Sequence, residues 1–393
     1  MSDEPAADPD DPSDDGPAGG ADEASIDDGP AGGPDDGPLD GGSITEGSLL
    51  RPLFRLAWPI VVIQLLQVTY NIVDTLYLGR FSAEAVGAIS LAFPLIFLLI
   101  AVAGGFTTAG AILVAQYTGA DGDGSAGLVA GQTIFTVSVL SVLIGIGGYF
   151  YTRPALEILP SDAETAATVI PLAADYMEVI FAGIPLMFGF FVFSALMRGY
   201  GDTRTPMAVM FVSVLLNVLL DPFFIFGFEG NPLFAWLAAV PGLAALDPVA
   251  LEATLLSMTG ITGIGIRGAA LATILSRGVA TAIGLWILFG TGYGPDVTLG
   301  HLAPDLDFIR DIFRLGLPSS VEQTTSALAM ITLTAMIVTF SPPVVAAYGL
   351  GNRLISLVFL PAMGLGRAID TMVGQNLGAN RADRAGKAVK FAA

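Results

Sequence analysis

Eight long apolar segments constrain the fold of this chain more than any other feature. Each is long enough to cross the roughly 30 Å hydrocarbon core of a bilayer as a helix. Mean hydropathy is +0.71 and 53% of the 393 residues are hydrophobic, which is far from the composition of a soluble domain. The sequence therefore predicts an all-α, multi-pass membrane protein. The segments lie at residues 54–79, 86–115, 128–150, 168–197, 206–228, 266–290, 313–340 and 344–374.

The acidity of the chain is concentrated at its N-terminus. The formal net charge is −20, but residues 1–46 hold 15 Asp and Glu and no Lys or Arg, which leaves 16 basic against 21 acidic residues elsewhere. Gly, Pro and Ala fill most of the remaining positions, so residues 1–48 are expected to form a disordered tail. This region has neither the basic start nor the apolar core of a signal peptide.

Basic residues outside the segments predict the orientation in the cell membrane. A cytoplasmic N-terminus places ten of them on the inner side and three on the outer side, as the positive-inside rule requires. The long connection 229–262 has no basic residue and is then an outer loop. The inner set is Arg51, Arg55, Arg198, Arg204, Arg310, Arg314, Arg381, Arg384, Lys387 and Lys390, and the outer set is Arg80, Arg153 and Arg267.

The chain repeats itself with an offset of 259 residues. Six segments separate equivalent points, so both copies enter the membrane from the same side as a parallel repeat. The repeat predicts a six-helix first lobe at 49–290, an inner connection at 291–312, and the first two helices of a second lobe at 313–393. The matching sets are Phe54, Arg55, Leu56, Pro59, Gln64, Gln116 and Gly119 in the first copy, and Phe313, Arg314, Leu315, Pro318, Gln323, Gln375 and Gly378 in the second.

Two helical faces carry polar residues through apolar segments. Gln64, Gln67, Asn71 and Asp74 are spaced by three, four and three residues, so they share one face of the first segment. An Asp in the middle of a lipid-exposed helix costs roughly 2.5–3.5 kcal/mol, which makes Asp74 a candidate functional residue. A structural hydrogen bond between helices is the alternative. Ser213, Asn217 and Asp221 share a face of the fifth segment at spacings of four.

Four local motifs resemble the multidrug and toxic compound extrusion (MATE) transporters, in particular their prokaryotic DNA-damage-inducible branch. They are Asn71–Thr75, Arg198–Pro206, Leu216–Pro222 and Gly374–Ala379. The resemblance covers residues 49–393 and implies a carrier of two six-helix lobes that exports cationic or amphipathic compounds. Since only eight segments are found, the sequence is expected to be partial.

The resemblance also implies a cation site in the first lobe, built from Asp74, Asn217 and Asp221. Thr273, Gln67 and Asn71 are the further candidates for cation coupling at this site. Such a group of buried oxygens can hold and release a proton or ligate Na⁺, so the coupling ion is left open and no other cofactor is expected. Glu322 is the candidate in the second lobe, with a hydrated surface carboxylate as the alternative.

The function expected from these features is efflux of small organic compounds in exchange for H⁺ or Na⁺. A flippase for lipid-linked precursors and a non-transporting membrane fragment are the alternatives. No enzymatic activity is expected, because the chain has no Cys and a single His, His301. Partners are small molecules and the bilayer, with no role for nucleic acid.

Overall fold

The fold consists of helices throughout the part of the chain that the computed structural model describes, which is residues 44–120, 123–157, 163–240, 242, 247–337 and 342–392. One isolated β-bridge joins Gly227 and Thr262 there. The helices are α1 (Leu50–Phe81), α2 (Ala83–Gly119), α3 (Asp123–Glu157), α4 (Ala163–Tyr200), α5 (Arg204–Phe226), α6 (Pro232–Ala239), α7 (Pro248–Thr259), α8 (Ile266–Gly290), α9 (Leu306–Ile337), α10 (Pro342–Gly378) and α11 (Ala382–Ala392), with a 3-10 turn at Leu299–Leu302.

Six helices, α1–α5 and α8, are long and apolar enough to cross a membrane, by length and composition within the described residues. They coincide with the first six predicted segments. The seventh and eighth segments fall on α9 and α10, which have 32 and 37 residues. Helix α9 begins seven residues before the predicted segment, because its first turns are polar and the Asp305 carboxylate accepts a hydrogen bond from the backbone of Asp307 at 3.0 Å.

The predicted outer loop 229–262 contains two short helices, α6 and α7, of 8 and 12 residues. Asn231 fixes this segment to the end of α5. Its side chain is buried and donates hydrogen bonds to the carbonyls of Pro222 at 3.0 Å and Gly227 at 2.8 Å. Glu252 in α7 accepts a bond from the Asn231 backbone at 2.6 Å. We call this end of the bundle the hairpin end.

The opposite end, where α1 begins, is the tail end. Residues 1–43 of the predicted disordered tail lie outside the described residues, but the prediction is wrong for residues 44–48. Ile44 is fully buried beside Leu53 and Met372. Arg381 donates to the carbonyl of Thr45 at 2.6 Å, and Arg384 donates to that of Gly47 at 2.8 Å. Helix α11 therefore holds this segment through backbone contacts that composition does not reveal.

Contacts between helices follow the 259-residue offset at the tail end. A Cβ atom on Gly119 would lie 2.0 Å from the Gln375 carbonyl oxygen, and one on Gly378 would lie 1.9 Å from that of Gln116. Gly374 packs against Ala115, its own counterpart in the other copy. A residue can touch its counterpart only beside the axis that relates the copies, so the axis passes between α2 and α10 here.

A second reciprocal pair of crossings lies further along the same helices. Gly105 in α2 packs against the backbone of Ser320 in α9, and Gly364 in α10 packs against Val61 in α1. Gly105 and Gly364 are 259 residues apart, and so are Val61 and Ser320. The repeat found in the sequence is therefore also a repeat of contacts.

Helix α4 packs extensively against three of the other five helices among the first six spanning helices. It packs against α2, α3 and α8, while α5 packs against α1 and α8. Phe188 and Phe193 of α4 are fully buried in the resulting core. This arrangement brings the polar faces of α1, α5 and α8 together.

Candidate functional site

Three polar residues of α1 and α5 meet in the interior near the hairpin end. Asp74 is 5% exposed, and Asn217 and Asp221 are not exposed at all. The Asn217 amide donates a hydrogen bond to Asp221 Oδ1 at 3.1 Å. Asp74 lies close enough to interact with both of these side chains. The structure thus brings together the three residues predicted to form the cation site, and we call them the acidic cluster.

Three oxygen atoms of the acidic cluster lack a hydrogen-bond donor within the described part of the chain. Asp74 Oδ1, Asn217 Oδ1 and Asp221 Oδ2 are buried and accept no hydrogen bond from the residues that the structure describes. Buried oxygens without a donor, and two buried carboxylates side by side, are costly unless something compensates them. A bound proton or a small hard cation would supply that compensation, because both seek oxygen ligands.

Thr273 of α8 lies beside the acidic cluster, in a layer of tyrosines. Its hydroxyl oxygen accepts a hydrogen bond from the Tyr70 hydroxyl of α1, and Tyr176 of α4 is close by. All three side chains are buried. The oxygen of Thr273 thus accepts a bond from Tyr70, and its contribution to the cation site stays a prediction.

Gln67 and Asn71 connect this region to an arginine. The Gln67 amide donates to Asn71 Oδ1 at 3.3 Å, and its oxygen accepts a bond from the Arg277 guanidinium of α8. Sequence reasoning missed Tyr70 and Arg277. The signal was present, because Tyr70 is one turn before Asp74 and Arg277 is one turn after Thr273, on the same helical faces.

A cavity of about 420 Å³ opens beside the acidic cluster. All four polar residues of the predicted α1 face line it: Gln64, Gln67, Asn71 and Asp74. Much of the remaining wall is aromatic and aliphatic and comes from α2 and α4, with Phe93, Phe97, Phe190, Phe191, Ile96 and Met187 among its residues, while α5, α8, α9 and α10 complete it. A cavity with apolar walls and a small number of placed polar groups is the usual form of a small-molecule site.

Glu322 is not brought to this site. Its side chain is exposed and does not line the cavity, whereas the next residue, Gln323, does. Gln323 occupies the repeat position of Gln64, so both copies supply a glutamine to the same wall. Among the described residues, the carboxylates near the cavity are therefore those of Asp74 and Asp221 in the first copy and that of Asp370 in α10.

Comparisons with known proteins agree with this architecture. The MatE family profile matches residues 59–223 and 318–393. The probable multidrug resistance proteins YoeA and YpnP of Bacillus subtilis are 28% and 27% identical over 345 and 335 residues, which is 86% and 85% of this chain. The chain spans 67% and 66% of their lengths. An outward-facing multidrug resistance MATE family transporter of the MOP superfamily aligns with a TM-score of 0.71 and 25% identity, over 91% of this chain and 71% of that one.

Proposed function

Because this chain belongs to the MatE family, we propose that it carries out secondary active export of small amphipathic compounds across the cell membrane. Binding of H⁺ or Na⁺ at Asp74, Asn217 and Asp221 would drive the export. The relatives that support this reading are named as multidrug resistance proteins. The observation that carries the proposal is the set of three buried oxygens without hydrogen-bond donors beside a cavity lined by the same helix.

The coupling mechanism follows from the position of Asp74, which belongs to the acidic cluster and also lines the cavity. When the cluster is empty, the charges of Asp74 and Asp221 repel each other across the contact between α1 and α5. When a cation binds, that repulsion is removed and the two helices can close. Since α1 also forms a wall of the cavity, this movement changes the shape of the substrate site. Pro59 lies inside α1 and is the natural position for the bend.

The donor set suits both candidate ions. Two carboxylates that share a site can hold one proton between them, and the same oxygens with the Asn217 amide oxygen can ligate Na⁺. Transport in proteoliposomes under an imposed proton gradient, and separately under a sodium gradient, distinguishes the two. The dye rhodamine 6G is a suitable first probe, because it is amphipathic and fluorescent.

The Asp74→Asn variant tests the proposal. It keeps the shape of the side chain but removes the charge that binds the cation, so gradient-driven dye export should fall about 5- to 150-fold. Glu322→Gln is the matched control, since it neutralises an exposed carboxylate that does not line the cavity, and it should transport like wild type. Equal transport by Asp74→Asn and wild type would refute the proposed coupling site.

We also propose that the tail end faces the cytoplasm. The ten basic residues of the predicted inner set lie in or beside the helix ends at that side, as the positive-inside rule expects. The chain has no Cys, so single cysteines can be introduced without a background. A membrane-impermeant maleimide should label Ser257→Cys in α7 on intact cells and label Lys387→Cys in α11 only after permeabilisation. The reverse pattern would overturn this orientation.

A further inference from the structure

The wall of the cavity carries more positive than negative charge. Three arginines line it, Arg198 of α4, Arg277 of α8 and Arg367 of α10. The only carboxylate among the residues that line it in the described part of the chain is Asp74. Asp74 faces Asp221, where the proposed coupling cation would neutralise it. The charge left for a substrate to meet is therefore cationic.

Arg277 is oriented mainly by uncharged groups. It is 3% exposed, and the ion pairs found between described residues do not include it. One amino group donates to the Gln67 amide oxygen and another lies 2.8 Å from Met210 Sδ. The guanidinium also lies over the rings of Tyr70 and Phe190, at 5.4 and 5.3 Å from their centres. These contacts orient the group, and the carboxylate that attracts it, Asp74, is the one that the proposed coupling cation would neutralise.

Arg198 and Arg367 form a second cationic position nearer the tail end. They come from different helices, and their guanidinium groups are close enough to repel each other. Asp370 attracts both, but it is exposed and is one carboxylate for two guanidiniums. The helices that carry them are fixed together nearby, because the Gln375 amide donates to the Gly199 carbonyl at 3.0 Å. Two paired guanidinium groups are the usual receptor for a carboxylate or a phosphate.

We propose that the cavity takes amphipathic organic anions, with a carboxylate or phosphate held by Arg198 and Arg367 and an apolar body against Phe93, Phe97 and Phe191. This inference rests on the proposed export function and specifies its substrate class. It departs from the cationic or amphipathic substrates expected from sequence, because that expectation came from the family resemblance and did not place the arginines. Binding of such an anion bridges α4 to α10, and thus the first copy of the repeat to the second.

Binding to the purified full chain tests this inference without requiring transport. The probes are 1-pyrenebutanoate, a pyrenebutyl phosphate and a pyrenebutyl trimethylammonium, which share one apolar body and differ in the charged group. Both anions should bind at least tenfold more tightly than the cation, and added NaCl should weaken their binding. The ratio between the two anions tells whether carboxylate or phosphate is preferred. Tighter binding of the cation would overturn the proposal.

Variants locate the anionic group. In Arg198→Gln/Arg367→Gln, affinity for both anions should fall at least tenfold and affinity for the cation should not. Arg198→Lys/Arg367→Lys keeps the charge but loses the planar guanidinium groups, so its affinity for the anions should lie between those of wild type and the Gln variant, which separates lost charge from lost folding. Arg314→Gln, an exposed arginine away from the cavity, is the control. Unchanged anion affinity in the Gln variant would overturn the assignment.

Asp74→Asn distinguishes the two proposals. It should lose gradient-driven export and still bind the anionic probes. Wild-type protein that binds the anions but exports neither the pyrenebutanoate probe nor rhodamine 6G under an ion gradient would reject the coupling mechanism and retain the anion site. Export of rhodamine 6G without any binding of the anions would do the opposite.

Discussion

Helices α1 and α9 occupy equivalent positions in the two copies of the repeat, yet only α1 carries the chemistry of the site. Gln64 and Gln323 correspond, and both line the cavity. Further along, Asp74 corresponds to Leu333, whose side chain is 47% exposed, whereas Asp74 is 5% exposed. The copies therefore agree near the tail end and diverge towards the hairpin end.

This difference separates what packing requires from what function requires. The reciprocal glycine contacts of α2 and α10 are kept in both copies, because each lets two backbones approach closely. Within the spanning helices of the described part of the chain, the buried carboxylates are Asp74 of α1 and Asp221 of α5, both in the first copy. A carboxylate in an apolar helix is costly and is retained only where other groups or an ion compensate it. In the described part of the chain, the coupling chemistry thus depends on one copy.

The strongest test of this asymmetry exchanges the two residues. Asp74→Leu/Leu333→Asp should lose gradient-driven transport by about 5- to 150-fold, as Asp74→Leu alone should, because position 333 is 47% exposed whereas Asp74 is buried beside Asn217 and Asp221. Transport in proteoliposomes measures it. Leu333→Asp alone is the control, because it shows how far an exposed carboxylate in the lipid by itself lowers transport. Recovery of transport in the double variant would mean that either copy can hold the site.

The symmetry of packing can be tested with Gly119→Val and Gly378→Val. Each new side chain would meet a backbone carbonyl at about the same distance, so both variants should destabilise the protein similarly, by about 3 kcal/mol or more. Thermal unfolding in detergent is the measurement. Gly366→Val in α10 has open space around its Cβ and should change stability little. A large difference between Gly119→Val and Gly378→Val would show that the two contacts are not equivalent.

The smallest effect is expected when Gln67 and its repeat counterpart, Ser326, are each replaced by alanine. Gln67→Ala removes the amide oxygen that Arg277 donates to, so the unfolding free energy should fall by about 1–3 kcal/mol. Ser326 is exposed and its hydroxyl donates only to the Glu322 carbonyl of its own helix, so Ser326→Ala should stay within about 0.5 kcal/mol. Chemical denaturation measures both. Equal losses would contradict the role given to Gln67.

The acidic cluster could be anticipated because helical spacing fixes which residues share a face. Steps of three and four residues placed Asp74 on one face of α1, and steps of four placed Asn217 and Asp221 on one face of α5. Which faces meet is a property of packing between helices, and there the family resemblance supplied the adjacency of the two segments. Spacing also gave no reason to place Arg198 and Arg367 in the same cavity, since 169 residues separate them.

Other features depend on contacts that local sequence does not encode. The segment 44–48 is ordered by Arg381 and Arg384, which lie more than 300 residues away. Asn231 fixes the α6–α7 segment through backbone carbonyls of α5, and nothing in the composition of 229–262 indicates this. Long-range hydrogen bonds to backbone atoms are the common reason for these misses.

The contact between Ala115 and Gly374 has a consequence for how the two copies can evolve. Beside the axis a residue meets its own duplicate, so a chain with identical copies would need a side chain there small enough to face itself. A larger side chain at one of the two positions leaves less volume for the other, so substitutions at the two positions must be coordinated. Away from the axis this constraint is absent, and equivalent positions such as Asp74 and Leu333 hold different residues.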